Sequence, residues 1–470
     1  MNPALLEQLM GDSPREALSE LTQAAKKKAE RQALLAVPGV HDRVRALLKD
    51  ASPKVRKNAA RLLGAFCDPA DGTVLAAALE NETTLFTLPS LLLALGSVGG
   101  ESANAALAAY TLPAPKDETE VKHVAEIADA LRKAREAAAP VQPIPPYRLT
   151  KRRPVLCTAP EGFSEVLLEE LTRLGFSPVR QGEDVLVATE DWTSCCRALC
   201  AEEFLLPLGE NLPCTPQAVA KAAEGELTLP YRIELRNYTG DRNAFIRDLT
   251  RLLPGQNSPS RYGLELRIEA TAETCRVRLK PTVPPDGRFP WRKRTLPASM
   301  APALAECLGR LAYDALSPKT PPRVLDPFCG SGTLLFAWEQ QFPAKALLGV
   351  DIAGSALTAA RENAASCASK AKFTQKDILR FLPGEPFDLI LTNLPFGNRV
   401  GTHENNESLY RGFVRKLPEL LAPGGVALLY TMEYRLLKSC LAREKGLALS
   451  AARRTEAGGL LPWVFVVQRT

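Results

Sequence analysis

The sequence predicts a multidomain chain in three blocks: an α-solenoid, an α+β module and a doubly wound α/β domain. Three observations carry that expectation. Residues 1 to 140 show helical periodicity throughout, in three amphipathic stretches that echo one another. The middle of the chain alternates apolar and charged residues, as strands with one wet face do. From Pro321 onward short apolar runs alternate with helical stretches, the rhythm of buried parallel strands covered by helices on both faces.

The first block is rich in Ala and Leu. Its echoing stretches begin at Val55 (VRKNAARLLGAF), Leu85 (LFTLPSLLLALGSV) and Val121 (VKHVAEIADALRKA), spaced by 30 and 36 residues. That period suits stacked helix pairs. A proline-dense segment over 141–153 follows, whose composition predicts an extended, stiff linker.

The second block, 154–318, predicts a strand near Val155, a helix from Phe163 to Gly175, a strand near Val185 and a helix through Cys196. A further unit opens at Tyr231: strand YRIELRNY, helix DRNAFIRDLTRLL, then paired strands GLELRIEAT and TCRVRLKP, with an arginine-rich face expected in solvent. From Tyr231 to Arg294 there are 14 Lys or Arg against 7 Asp or Glu, a net of +7 in a chain of net +6. A basic segment of that kind fits either a phosphate-backbone footprint or a solvated face without a partner.

The third block, 319–470, offers RVLD, ALLGVD, FDLILTN, VALLYT and a final LPWVFVVQRT as strands. With 46% hydrophobic and 24% charged residues, composition excludes a disordered chain, and no apolar run reaches membrane-spanning length. The acidic, amphipathic start reads as neither signal nor transit peptide, so a cytoplasmic location is expected. Eleven cysteines lack regular spacing, and the one cluster, Cys195, Cys196 and Cys200, has no second Cys or His pair nearby. Reduced thiols are the expectation there, with no metal.

Two motifs carry chemistry. Strand Arg323 to Asp326 runs into Pro327, Phe328, Cys329, Gly330, Ser331, Gly332 and Thr333 before a helix. Such a turn brings backbone close to a ligand and aims helix N–H groups at its polar end. Asp351 ends the next strand 19 residues after Gly332, where a carboxylate can accept from both ribose hydroxyls. Asp377, following a third strand, is placed for an adenine amino group, with Ile352 and Ile378 adjoining these acids. Leu335 stands where a dinucleotide fingerprint would have its third glycine. Strand FDLILT then delivers Asn393, Leu394, Pro395, Phe396 and Gly397 to the carboxyl edge of the sheet, where ligands bind in such folds.

Together, DPFCGSGT and NLPFG resemble class I, S-adenosylmethionine-dependent methyltransferases with an Asn-Pro-Pro-Tyr-type fourth motif, and within them the THUMP-domain RNA guanine-N2 branch. The resemblance implies that Asn393, through its side-chain oxygen, and the carbonyl of Leu394 accept hydrogen bonds from the target amine. It implies further that Pro395 holds the turn, that Phe396 stacks on the base, and that S-adenosylmethionine sits on Asp326, Pro327, Cys329, Gly330, Ser331, Gly332, Asp351, Ile352, Asp377, Ile378 and Asn393. Leu394 departs from the motif's first proline. Ala337 stands where relatives have Glu four residues after the Thr, leaving any such contact absent or supplied by a neighbour such as Glu339.

The stretch from Asp50 to Gly64 resembles a HEAT repeat, a fold that often serves a protein partner. Residues 154–318 resemble a ferredoxin-like unit followed by a THUMP domain: Ala159-Pro160-Glu161-Gly162-Phe163, Leu167, Glu169 to Leu171, Asn257-Ser258-Pro259, and the connection Phe289 to Arg294 with Leu296 to Ser299. The resemblance implies tRNA as substrate, with large-subunit ribosomal RNA as the alternative and Arg292, Lys293, Arg294 and Arg399 as backbone contacts. Two other readings stand beside it: a catalytically silent RNA-binding scaffold, and a DNA adenine-N6 methyltransferase, for which no duplex-reading element is visible.

Overall fold

The computed structural model describes residues 3–138, 143–271, 273–297, 299–395, 403–456 and 458–470, with no side chains described for 403–406. It divides into two units, Met1–Pro143 and Ile144–Thr470.

The first unit is helical. Helices Pro53–Phe66, Leu88–Val98 and Glu118–Ala138 pack side by side in chain order, and Gly72–Asn81 and Gly100–Ala109 return the chain between them. Proline opens the first of these without cost, because the first-turn N–H has no intrahelical partner. Their inward faces, including Leu62, Leu63, Leu91, Leu95, Ile127 and Leu131, form one apolar core. The second and third helices approach so closely that a Cβ on Gly96 would lie 2.6 Å from the Ala134 Cα, so only glycine fits there. Asp71 is fully buried, and its carboxylate is held by Arg45 Nε at 2.6 Å and His41 Nε2 at 2.8 Å.

The second unit holds two seven-stranded sheets. The first comprises β1 (Arg153–Thr158), β2 (Val179–Gln181), β3 (Asp184–Thr189), β4 (Glu203–Pro213), β5 (Tyr231–Arg236), β6 (Leu264–Ala270) and β7 (Thr274–Pro281). Their order is β2-β3-β1-β4-β7-β6-β5, with only β5 and β6 parallel. Long β4 joins the two expected subunits into one sheet. The helix expected through Cys196 is a short 3-10 helix, Trp192–Arg197.

The arginine-rich face of this sheet is not the wet face the alternation suggests. Arg267 is 3% exposed and grips Glu203 through both terminal nitrogens, at 2.5 and 3.0 Å, and Glu265 at 2.7 Å. Lys280 adds a 2.6 Å bond to Glu203, and Arg278 lies near Glu210 and Glu269. Burial would raise Glu203, but Arg267 and Lys280 outweigh it and hold its pKa down to about 2. Two carboxylates of β4, Glu203 and Glu210, therefore offset part of the basic excess of this segment. Buried forks of this kind fix strand register more surely than they add stability.

The second sheet comprises β8 (Arg323–Asp326), β9 (Ala346–Asp351), β10 (Lys372–Gln375), β11 (Phe387–Asn393), β12 (Leu421–Thr431), β13 (Leu447–Arg454) and β14 (Trp463–Arg469). Its order is β10-β9-β8-β11-β12-β14-β13, parallel except that β14 runs antiparallel to both its neighbours. The order reverses between β8 and β11, which opens a crevice at their carboxyl ends.

Two expected boundaries shift. Helix Pro302–Leu316, expected with the middle block, covers the second sheet, packing on helix Thr333–Gln341 and on β11 and β12. The linker is not a free spacer from Ile144 on: Tyr147 is buried, donates its N–H to Val283 O at 3.1 Å and accepts from Trp192 Nε1 at 3.0 Å. One apolar core runs through both sheets, so the second unit folds as a piece. Among the described residues no helix is long and apolar enough to cross a membrane.

Candidate active site

The site is built on the reversal point. β8 ends at Asp326, and the chain turns through Pro327 to Gly332 into helix Thr333–Gln341. Gly330 and Gly332 both adopt left-handed backbone, with φ of +51° and +85°. At Gly332 a Cβ would meet the Phe336 ring at 2.7 Å; at Gly330 it would meet nothing within 4 Å. The first glycine therefore faces an open cradle, and the second lets the helix start against its own aromatic.

Asp351 secures that cradle. Its Oδ2 accepts from Gly330 N at 2.8 Å and its Oδ1 from Ala353 N at 2.9 Å. Each oxygen keeps a lone pair for a hydroxyl. Phe328 N donates to Asp326 Oδ1, Cys329 N to Val350 O and Gly332 N to Cys329 O, so with Gly330 four of the turn's amides are bonded within the protein. The turn thus receives a ligand by shape more than by the donated N–H groups expected of it. Ile352, next to Asp351, is 70% exposed and leaves an apolar face beside that carboxylate. Asp377 caps a short turn by accepting from Leu379 N at 2.9 Å. Ile378 departs from expectation: its side chain is buried in the core with Leu325 and Val350, leaving only its backbone to face a ligand.

Asp326 is fully buried. Its Oδ1 accepts from Thr392 Oγ1 at 2.7 Å and from Phe328 N at 3.2 Å. Burial, reinforced by the charge of Asp351, pushes its pKa up to about 7 against those two bonds. Burial likewise pushes up the Cys329 thiol. Ser331 Oγ lies 2.9 Å from Ser299 Oγ, which ties the turn to the preceding connection.

The Thr392 bond places Asn393 beside this turn. Asn393 ends β11, and its Oδ1 is buried with no hydrogen-bond partner among the described residues. Such an acceptor costs roughly 1–3 kcal/mol unless something supplies a donor. Leu394 is buried and donates its N–H to Tyr430 O at 2.9 Å. Pro395 O accepts from the Tyr410 hydroxyl at 3.0 Å, and that hydroxyl also meets Thr431 Oγ1 at 2.6 Å. Phe396, Gly397 and Arg399 lie outside the described residues.

The basic connection is pinned, not loose. Asn363 is buried; its Oδ1 accepts from Lys293 N and Arg294 N, and its Nδ2 donates to Arg294 O and Ser331 O. Arg292 is partly buried and donates from Nη1 to Met300 O at 2.7 Å. Lys293 and Arg294 are exposed, Arg294 beside Glu362 at 3.1 Å. Glu339 does not replace the carboxylate missing at Ala337, since it accepts from Ser369 Oγ and Lys370 N. Cys195 and Cys200 are both buried and face different thiols, Cys157 and Cys307.

Sequence reasoning did not find Thr392, Tyr410 or Asn363. Only Asn363 left a signal, a polar residue on the inward face of helix Gly354–Cys367.

Residues 290–462 match the RMKL-like methyltransferase domain family. The chain is 39% identical over 215 residues to a tRNA (guanine(6)-N2)-methyltransferase of Thermus thermophilus, covering 44% of this chain and 61% of that protein. Among solved structures, TrmN from Thermus thermophilus superposes with a TM-score of 0.54 at 28% identity, covering 67% of this chain and 99% of that one. SMU.472, solved with SAH, shares the fold at 17% identity, with a TM-score of 0.53 over 68% of this chain and 98% of that one. The chain thus spans about three fifths of the curated relative it matches.

Fold, turn and family match define residues 290–462 as a methyltransferase domain of the S-adenosylmethionine-dependent class. The residues present fit that cofactor: the open cradle at Gly330, the free lone pairs of Asp351 and the uncovered Ile352.

Proposed function

We propose that this chain methylates the exocyclic N2 of a guanine in tRNA. The observation that carries the reading is the buried, unpartnered Oδ1 of Asn393 beside the cofactor turn. In this reading Asp351 holds the ribose hydroxyls, Asp377 the adenine amino group and Ile352 the adenine face, with residues 326–332 beneath the methionine end. S-adenosylmethionine, when bound, supplies an electrophilic methyl group.

The chain's own residues deal with the amine. Its lone pair is delocalised into the ring, which makes it a poor nucleophile. Asn393 Oδ1 and the Leu394 carbonyl each accept one amine hydrogen and favour the pyramidal nitrogen that attack requires. Tyr410, by donating to Pro395 O, fixes the turn that presents both acceptors. The nitrogen that takes up the methyl group would then lose a proton to water. No strong base is needed beforehand. The resemblance assigns Phe396 a stacking role, worth ~1–3 kcal/mol for an extruded base.

Guanine N2 and tRNA come from the Thermus relative's named activity. The first sheet of the second unit we read as the ferredoxin-like and THUMP module that grips the RNA, with Lys293 and Arg294 as backbone contacts. The first unit we read as HEAT-like repeats. Nucleoside mass spectrometry of tRNA from cells with and without the protein tests the proposal: N2-methylguanosine should fall in its absence, and an unchanged level would refute it.

A further inference from the structure

The helical unit carries a concavity that methyl transfer does not use. It holds about 340 Å³ and is lined by Arg15, Lys54, Lys57, Asn58, Arg61 and Phe86. Four of these stand at i, i+3, i+4 and i+7 along helix Pro53–Phe66, so a single outward stripe delivers Lys54, Lys57, Asn58 and Arg61. The opposite stripe, with Val55, Ala59, Leu62 and Leu63, is buried and keeps the helix from rotating. Arg15 opens helix Arg15–Ala24, and its carbonyl accepts from Asn58 Nδ2 at 3.2 Å, which joins the two walls.

The charge here is uncompensated. Among the described residues none of the four cations has a carboxylate partner, whereas nearby Arg45 and Arg56 are both paired, with Asp71 and Glu82. Glu82, four residues before Phe86, is held by two Arg56 nitrogens at 2.8 Å each, so it offers the concavity no free charge. Four like charges around one hollow repel one another until an anion enters.

The aromatic decides which anion. Phe86 is half-buried in the wall, and Lys57 Nζ lies 5.7 Å from its ring centroid. Cations interleaved with an aromatic face suit a nucleotide, phosphate on the cations and base on the ring. An acidic peptide would use the charges and leave Phe86 idle. The volume, too, is that of a small-ligand pocket.

We infer that this concavity is a second RNA-binding site, taking one nucleotide of the RNA by its phosphate on Arg15, Lys54, Lys57 and Arg61 and its base on Phe86. The inference rests on the reading that the chain acts on RNA.

The test titrates full-length protein with unmodified bulk tRNA over a range of salt. Lys57→Glu/Arg61→Glu should weaken binding at low salt by ~10-fold or more and flatten the log–log salt slope by roughly 0.7–0.9, as expected when one phosphate is no longer neutralised. Phe86→Ala should weaken binding about tenfold with the slope retained, since stacking releases no counterions. Cofactor affinity, measured by calorimetry, should be unchanged in both. If the first variant loses cofactor binding as well, Arg15→Glu/Lys54→Glu, at two exposed positions, should give the same flattening. Wild-type titrations in these variants overturn the inference and leave methyl transfer standing. A wild-type chain that binds no tRNA overturns both. An oligo-aspartate peptide that binds more tightly than tRNA, and is lost in Lys57→Glu/Arg61→Glu, overturns it in favour of an acidic polypeptide.

Discussion

Thr392 donates its hydroxyl to the fully buried carboxylate of Asp326 at 2.7 Å, across the two strands between which the sheet reverses its order. Asp326 opens the cofactor turn and Thr392 directly precedes Asn393. One hydrogen bond thereby holds the glycine turn and Asn393 in a common frame.

Asp326 makes stability depend on pH. Its folded pKa of about 7 lies above the ordinary carboxylate range, so its contribution is fully present below that range and is lost as pH rises through 7. From a shift of that size the loss is about 4 kcal/mol. Asp326→Asn keeps an acceptor for Thr392 and cannot ionise, so its unfolding free energy should vary less between pH 4 and pH 7 by ~3 kcal/mol. Denaturant titrations at several pH values check this; parallel profiles for wild type and variant would contradict it.

Asp351→Ala should weaken S-adenosylmethionine binding by ~1.5–3 kcal/mol, because it removes a charge-assisted acceptor from the ribose hydroxyls and the bond that fixes Gly330. Calorimetry on the folded variant measures this directly. An unchanged dissociation constant would mean the cofactor sits elsewhere.

Tyr410→Phe leaves Pro395 O and Thr431 Oγ1 without their donor and partner at the back of the catalytic turn. Stability should fall by ~1–3 kcal/mol, and kcat by roughly tenfold as the two acceptors lose their fixed geometry. Cofactor affinity should hold. A loss of stability with kcat intact would make Tyr410 a core residue and nothing more.

Charge reversal at Lys293 and Arg294 should weaken tRNA binding at constant cofactor affinity. The log–log salt slope should fall by ~0.7–0.9 for each phosphate that the variant no longer neutralises. Reversal at Arg292 should instead destabilise the fold, because that guanidinium is bonded to Met300 O. Salt-dependent binding curves and melting temperatures separate the two outcomes.

Much of this architecture was legible in the sequence. Strands β8, β9, β11 and β12 each centre on a short apolar stretch, as parallel strands buried on both faces do. β13 was not legible, because LALSAARR at the sheet edge is largely exposed and carries no such signal. Neither was β4, whose Pro207, Gly209 and register shifts break the alternation. The arginine-rich face misled for a related reason: Arg267 finds Glu203 from 64 residues away, and no local pattern announces a pairing made only by the sheet. In the site, Asn393, Asp351 and the glycine turn stood out because chemistry fixes their type and spacing. Thr392, Tyr410 and Asn363 act by what they touch, which only the fold determines.

The central claim is that Asn393 holds an exocyclic guanine amine for methyl transfer, and purified protein tests it most directly. Incubated with S-adenosylmethionine and unmodified bulk tRNA, then digested, the wild-type chain should yield N2-methylguanosine. Asn393→Ala should bind the cofactor as before and turn over ~100-fold more slowly or worse, since the amine loses one of its two fixed acceptors. 5-Methyluridine, a 2′-O-methyl nucleoside, or wild-type turnover by Asn393→Ala would contradict the claim.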